Sequence, residues 1–316
     1  MARHMTHRNR PHAKRARGLV LLFVVAAVAS CSGGSGSRAV PPIPSTVPSA
    51  ASPAPAPDAL ASDIGEVPRP ANVTDTAFRW YVHPADNAVH VLLGVRRQAG
   101  PGPHPGILLV PASGGLNTDY VAFADKLAGR GFDVAVGCWF ASVNVSDPQN
   151  VIIPCTDAPA FKGVVDAAVP DLDSLVEAAH HALGTSTPLV LVGFSRGGGI
   201  TALRASEGGP EPVVLVSGLY EGWNGIGSDV PGGEVDVLER VEGWRAPTLL
   251  LHGTNDGAVP VAQAQNLEAA LVAHGVDVTA RYYDGAGHNL AGDPAVGTDL
   301  EDQITRFACA RLACAA

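Results

Sequence analysis

No two cysteines in this 316-residue sequence are spaced C-x-x-C, and no His/Cys cluster has metal-ligand spacing, so a zinc site is not expected. No organic cofactor is called for either. There are no internal repeats, and no apolar run reaches the roughly 20 residues that a membrane-crossing helix needs. Basic charge is scarce beyond the N-terminus. Residues 1–31 hold six of the 21 Lys and Arg and none of the 30 Asp and Glu, leaving 15 basic against 30 acidic side chains, a net −15. That balance argues against nucleic acid as a partner and against attraction to anionic lipid, and it leaves neutral or cationic substrates open.

The N-terminal segment reads as a targeting signal. Residues 1–18 carry Arg3, Arg8, Arg10, Lys14, Arg15 and Arg17, and residues 19–29 are continuously apolar. That run is too short to span a bilayer comfortably and suits a signal-peptide core. It closes on Val28-Ala29-Ser30-Cys31, which resembles the lipobox of bacterial lipoproteins, where cleavage precedes the cysteine and a diacylglyceryl group joins its sulfur. The resemblance implies that Cys31 begins the mature protein and anchors it at the outer face of the bacterial cytoplasmic membrane. Without lipidation, the same signal yields a secreted protein. Residues 32–70 are almost entirely Ser, Gly, Pro and Ala, a composition that cannot offset its ordering entropy and predicts a disordered tether. Residues 71–316 remain for a folded domain, long enough for one sizeable core. Four cysteines fall there, Cys138, Cys155, Cys309 and Cys314. An even number in an exported chain suggests disulfides, and of three connectivities 138–155 with 309–314 closes the shortest loops.

From Phe78 onward, short apolar runs alternate with helix-like segments, predicting an α/β domain with a mostly parallel, doubly wound sheet and helices on both faces. Residues 78–82 and 89–95 read as an opening antiparallel pair. Strands are expected over 106–110, 132–136, 189–192, 212–216, 247–251 and 276–283, and helices over 119–130, 171–183, 200–205, 260–274 and 295–313. Residues 220–242 are Gly-rich and partly acidic, expected as a lid or a loop.

The most informative run is P-L-V-L-V-G-F-S-R-G-G-G at residues 188–199. It sets G-x-S-x-G between an apolar strand and a helix, the pattern of a nucleophile elbow. A serine hydroxyl needs a base to take its proton, and the base needs a carboxylate to orient it. Two later loops, each after a strand, offer both groups: H-G-T-N-D-G-A-V-P at 252–260 and D-G-A-G-H-N at 284–289. Asp256 and His288 are the candidates. His252 is the alternative base, with packing or shaping of the acid loop as its competing role; Asp284 and Glu221 are the alternative carboxylates.

With these motifs the sequence resembles α/β-hydrolases of the dienelactone-hydrolase-like group over essentially the whole folded part. The resemblance implies Ser195 as nucleophile, Asp256 as orienting acid and His288 as general base. Dienelactone hydrolases proper use cysteine as nucleophile, so Ser195 points to the wider esterase and peptidase relatives. An oxyanion needs two backbone donors. One is expected from Arg196 N–H and the other from the turn at 111–116, with Ser113 first and Ala112 second. Many relatives have H-G-S-G-G there, whereas this chain begins the turn with Pro111-Ala112. The implied activity is hydrolysis of a small-molecule carboxylic ester, with a prolyl-oligopeptidase-like peptidase and a non-catalytic envelope lipoprotein as alternatives. Residues 140–161 and 220–242 are the expected pocket walls. Trp139, Phe140, Trp223 and Trp244 are candidates for the pocket or for the core.

Overall fold

The structure, a computed structural model, describes residues 65–75, 77–84, 90–99, 104–140, 155, 163–221, 237–312 and 314. The expected signal peptide, Cys31 and the tether up to residue 64 lie outside the described residues, as do 222–236 with Trp223.

One nine-stranded sheet organises the chain. The first three strands are β1 (Gly65–Val67), β2 (Arg79–Pro84) and β3 (His90–Arg96), joined antiparallel. The parallel part follows as β4 (Gly106–Val110), α1 (Thr118–Ala128), β5 (Asp133–Gly137), α2 (Gly163–Leu183), β6 (Leu189–Phe194), α3 (Arg196–Ser206), β7 (Val213–Val216), β8 (Thr248–Gly253), α4 (Val261–Ala273), β9 (Val278–Tyr283) and α5 (Gly297–Leu312). The spatial order is β1-β2-β3-β5-β4-β6-β7-β8-β9, with β4 to β9 mutually parallel. Strands β4 to β8 are buried throughout, which is why they read as continuous apolar runs. β9 is an edge and alternates instead, with Thr279 and Arg281 outward.

The chain steps from β4 to β5, then back past β4 to β6 and onward in one direction. Right-handed crossovers therefore place α1 on one face and α2, α3 and α4 on the other. Accordingly α1 meets α5, and α2 meets α3. The reversal opens a crevice at the carboxyl ends of β4 and β6, where open α/β sheets bind ligands.

Two boundaries differ from the sequence reading. β1 lies inside the segment expected as tether, so ordered sheet begins at Gly65 rather than after residue 70. Its three residues are exposed or half-buried, and a strand that turns only Val67 toward the core leaves no apolar pattern to read. α2 begins at Gly163 rather than 171, running through Pro170. Proline costs a helix one N–H and some steric strain, and here it does not end it.

Both expected disulfides form, Cys138 with Cys155 and Cys309 with Cys314. A charged cluster ties the second face together. Arg204 of α3 donates to Asp173 of α2 (2.6 Å) and to Glu211 before β7 (2.5 Å), and His180 of α2 lies 4.0 Å from Glu211. Burial alone would raise the Glu211 pKa, but the neighbouring His180 ring and the hydrogen bond and charge of Arg204 bring it down from 4.5 to about 2. A depressed carboxylate stabilises the fold above its unfolded pKa and loses that contribution as pH falls toward the folded value. Glu211→Gln should therefore cost about 3 kcal/mol at pH 7. It should also flatten the loss of stability between pH 4.5 and 2. Urea titrations across that range measure both effects.

Candidate active site

Ser195 occupies the turn between β6 and α3 with φ 50° and ψ −117°, a conformation L-residues rarely adopt. Its neighbours explain how the chain reaches it. A Cβ on Gly193 would lie 2.6 Å from Thr201 Oγ1, and one on Gly197 would lie 2.6 Å from the Val110 carbonyl oxygen. Only glycine lets the first turn of α3 approach its own strand and the end of β4 so closely. Ser217, φ 48°, is the other non-glycine with positive φ among the described residues. Phe194 pairs with Val216, so the two serines follow side by side at the ends of neighbouring strands.

The base and acid arrive from the ends of β9 and β8. His288 Nε2 lies 3.0 Å from Ser195 Oγ, and His288 Nδ1 lies 2.7 Å from Asp256 Oδ2. The carboxylate partner assigns the ring proton to Nδ1, leaving the Nε2 lone pair to accept from the serine hydroxyl. Asp256 Oδ1 accepts from the Ala258 and Val259 N–H groups, each at 2.8 Å. Burial opposes the Asp256 charge, yet the Val259 N–H, His288 and the Ala258 N–H outweigh it and hold the carboxyl below the usual carboxylate range. The two loops are joined directly, with Thr254 N–H donating to the Tyr283 carbonyl and Asn255 N–H to that of Ala286.

His252 is not the base. It is fully buried, with Nε2 2.9 Å from the Val259 carbonyl oxygen and 3.1 Å from Asp256 Oδ2. Both neighbours are acceptors, which puts its proton on Nε2. Burial pushes the imidazole below its ordinary pKa, so it acts as a neutral donor that shapes the acid loop. The other carboxylates are engaged elsewhere, Asp284 with Thr254 and Glu221 with Asn266.

Arg196 opens α3, which sets its N–H in the first turn of the helix, beside Ser195. Its side chain is buried, 8% exposed, and burial lowers the guanidinium pKa. Ala112 is among the residues lining the cavity at Ser195, and Gly115 N–H closes the turn on the Ala112 carbonyl. Trp139 Nε1 donates to the Pro111 carbonyl oxygen (2.7 Å), and Leu116 N–H donates to that of Cys155 (2.8 Å).

A cavity of about 450 Å³ opens at Ser195 and His288. One wall is α1, through Tyr120, Ala122 and Phe123, and the opposite wall is residues 289–292, with Phe194 and Val216 also lining it. This differs from the walls expected at 140–161 and 220–242, although 141–154, 156–162 and 222–236 lie outside the described residues. Trp139, Phe140 and Trp244 are core residues with no exposure. The usable signal was the Tyr120/Phe123 spacing on α1, which reads equally well as core packing. Among the described residues, no group of three or more His, Cys, Asp or Glu is placed to hold a metal ion.

The model of the dienelactone hydrolase family matches residues 90–301. No curated protein matches this sequence. Among solved structures, the chain is similar to a putative dienelactone hydrolase from Klebsiella pneumoniae subsp. pneumoniae MGH 78578, with TM-score 0.55, 18% identity, and 78% of this chain and 98% of that one covered. It is similar to a dienelactone-hydrolase-like promiscuous phosphotriesterase from metagenomic libraries, with TM-score 0.53, 18% identity, and 79% and 99% covered. It is also similar to an acylaminoacyl peptidase from Pyrococcus horikoshii, with TM-score 0.59, 14% identity, 73% of this chain and 40% of that one. At such identities the likeness is one of fold.

The contacts of Trp139 and Cys155 give the Cys138–Cys155 bridge a direct hold on the turn at Ala112. A Cys138→Ser/Cys155→Ser variant should label at Ser195 with a fluorophosphonate about tenfold more slowly, because that turn loses its brace. Cys309→Ser/Cys314→Ser, at the far end of α5, should label at the wild-type rate. Equal rates in the two variants would refute the assignment.

Proposed function

The chain belongs to the dienelactone hydrolase family, and on that premise we propose that it is a serine hydrolase of carboxylic esters, acting through Ser195, His288 and Asp256. The observation that carries this reading is the continuous hydrogen-bonded line from Ser195 Oγ through His288 to Asp256 Oδ2, at 3.0 and 2.7 Å, on the wall of a cavity.

The chemistry follows from that line. Ser195 Oγ attacks the ester carbonyl while its proton passes to His288 Nε2, and Asp256 stabilises the imidazolium. The Arg196 N–H and the Ala112 N–H are the donors offered to the developing oxyanion. His288 then gives its proton to the leaving alkoxide, and an acyl-enzyme remains on Ser195. Water, activated by the same imidazole, releases the acid.

Replacing Ser195 with Ala should lower p-nitrophenyl ester hydrolysis by a factor on the order of 10⁴ or more and abolish fluorophosphonate labelling. Retained activity in the folded variant would sink the assignment. The peptidase reading is favoured by the shared fold with acylaminoacyl peptidase, of whose chain this one covers 40%. Dipeptide substrates turned over faster than short esters would establish it. An unlabelled wild-type protein would instead support a non-catalytic envelope protein.

We place the enzyme outside the cytoplasmic membrane, tethered through Cys31 with the following residues as spacer. The basic, apolar and small-residue order of residues 1–31 supports this placement. Cys31→Ala should move the protein from the membrane fraction to the soluble one. No change in partition would refute lipidation.

A further inference from the structure

The cavity beside Ser195 has a shape that its catalytic groups do not explain. It follows one face of α1, from Tyr120 past Ala122 and Phe123 to Lys126. Six residues of helix separate Tyr120 from Lys126, a run of about 9 Å at 1.5 Å per residue. Along that run Tyr120, Ala122 and Phe123 supply aromatic and aliphatic lining, with Asn117 and Asp119 before them. Tyr120 and Phe123 both pack edge-on against Phe194, the residue before the nucleophile, with ring centroids 5.4 and 5.5 Å apart. Leu290 and Ala291 line the cavity from the segment after His288.

The far end is polar. Lys126 pairs with Glu301 of α5 at 3.1 Å, and its side chain is 54% exposed. A slot with an aromatic and aliphatic stretch between the nucleophile and a solvated ion pair measures out a chain of limited length. The catalytic geometry decides which half of an ester enters it. His288 must face the leaving oxygen, and its side chain is 32% exposed, so the alcohol departs toward solvent. The walled side is left to the acyl group.

We propose that this slot binds the acyl chain of esters of linear, medium-chain aliphatic acids. This rests on the ester-hydrolase reading and adds the substrate class. An extended backbone advances about 1.2 Å per bond, so 9 Å corresponds to roughly six to ten carbons. Each buried methylene should raise kcat/KM roughly three- to fourfold until the chain reaches Lys126.

The test is a p-nitrophenyl ester series from acetate to dodecanoate on the full chain and on Ala122→Trp. Ala122 is an exposed residue of the slot wall, so a tryptophan there fills the slot without disturbing the core. Wild-type kcat/KM should peak between about six and ten carbons. In the variant, the octanoate-to-acetate ratio should fall at least tenfold, with the optimum at shorter chains. A wild-type optimum at acetate, or an unmoved optimum in Ala122→Trp, would overturn the proposal. A length response confined to alkyl acetates would overturn the acyl assignment. Should no ester be hydrolysed and Ser195 remain unlabelled, the hydrolase reading fails while the slot can still be judged. Calorimetry with octanoate on Ser195→Ala should then show saturable binding that Ala122→Trp weakens, and no binding would refute the slot.

Discussion

The site depends on one close approach, that of the first turn of α3 to the end of β4. Gly197 lies against the carbonyls of Val110 and Pro111, and Gly193 against Gly197, Gly198 and Thr201, with no room for a Cβ at either position. That contact forces Ser195 into a left-handed turn and aims its hydroxyl out of the sheet. It also brings the start of α3 and the turn carrying Ala112 to the same edge. The strain at Ser195 is held by ladders on both sides, since β6 is hydrogen-bonded to β4 and to β7. The turn at Ser195 and the start of α3 are thus consequences of a single backbone contact.

The other half of the site depends on how one carboxylate is held. Asp256 Oδ1 is taken by two backbone N–H groups of its own loop, and Oδ2 by two imidazoles. With every acceptor position engaged, the carboxylate cannot rotate away from His288. Its depressed pKa keeps it charged when the imidazolium forms beside it. His252 has a different environment from His288 although both meet the same oxygen. Fully buried, it stays neutral and donates, whereas His288 faces the cavity and can exchange protons with a substrate.

How much of this could be read without coordinates depends on what each feature rests upon. The grouping of Ser195, Asp256 and His288 was legible because each follows an apolar strand in a loop punctuated by glycine, and such patterns are local. The parallel sheet was legible for the same reason, since buried strands declare themselves as apolar runs. The course of the turn at 111–116 was not, because it rests on a hydrogen bond from Gly115 N–H to the Ala112 carbonyl that no local pattern announces. β1 was missed because a three-residue strand with only Val67 packed on the core carries no hydrophobic signature. The start of α2 was misplaced because Pro170 reads as a breaker, and only packing shows that the helix continues through it.

The cavity walls were illegible for a deeper reason. Tyr120 and Phe123 repeat at helical spacing, and that spacing says only that they share a face. Whether the face meets the core or a cavity is decided by residues 289–292, which lie about 170 positions away and arrive because His288 must reach Ser195. Placement of the base therefore builds the opposite wall of the slot. The turn at Ser195 is set by backbone contacts that tolerate almost no change, while the cavity is lined by side chains such as Ala122 and Ala291 that those contacts never touch. A scaffold divided in this way can reshape its cavity without altering the line from Ser195 through His288 to Asp256.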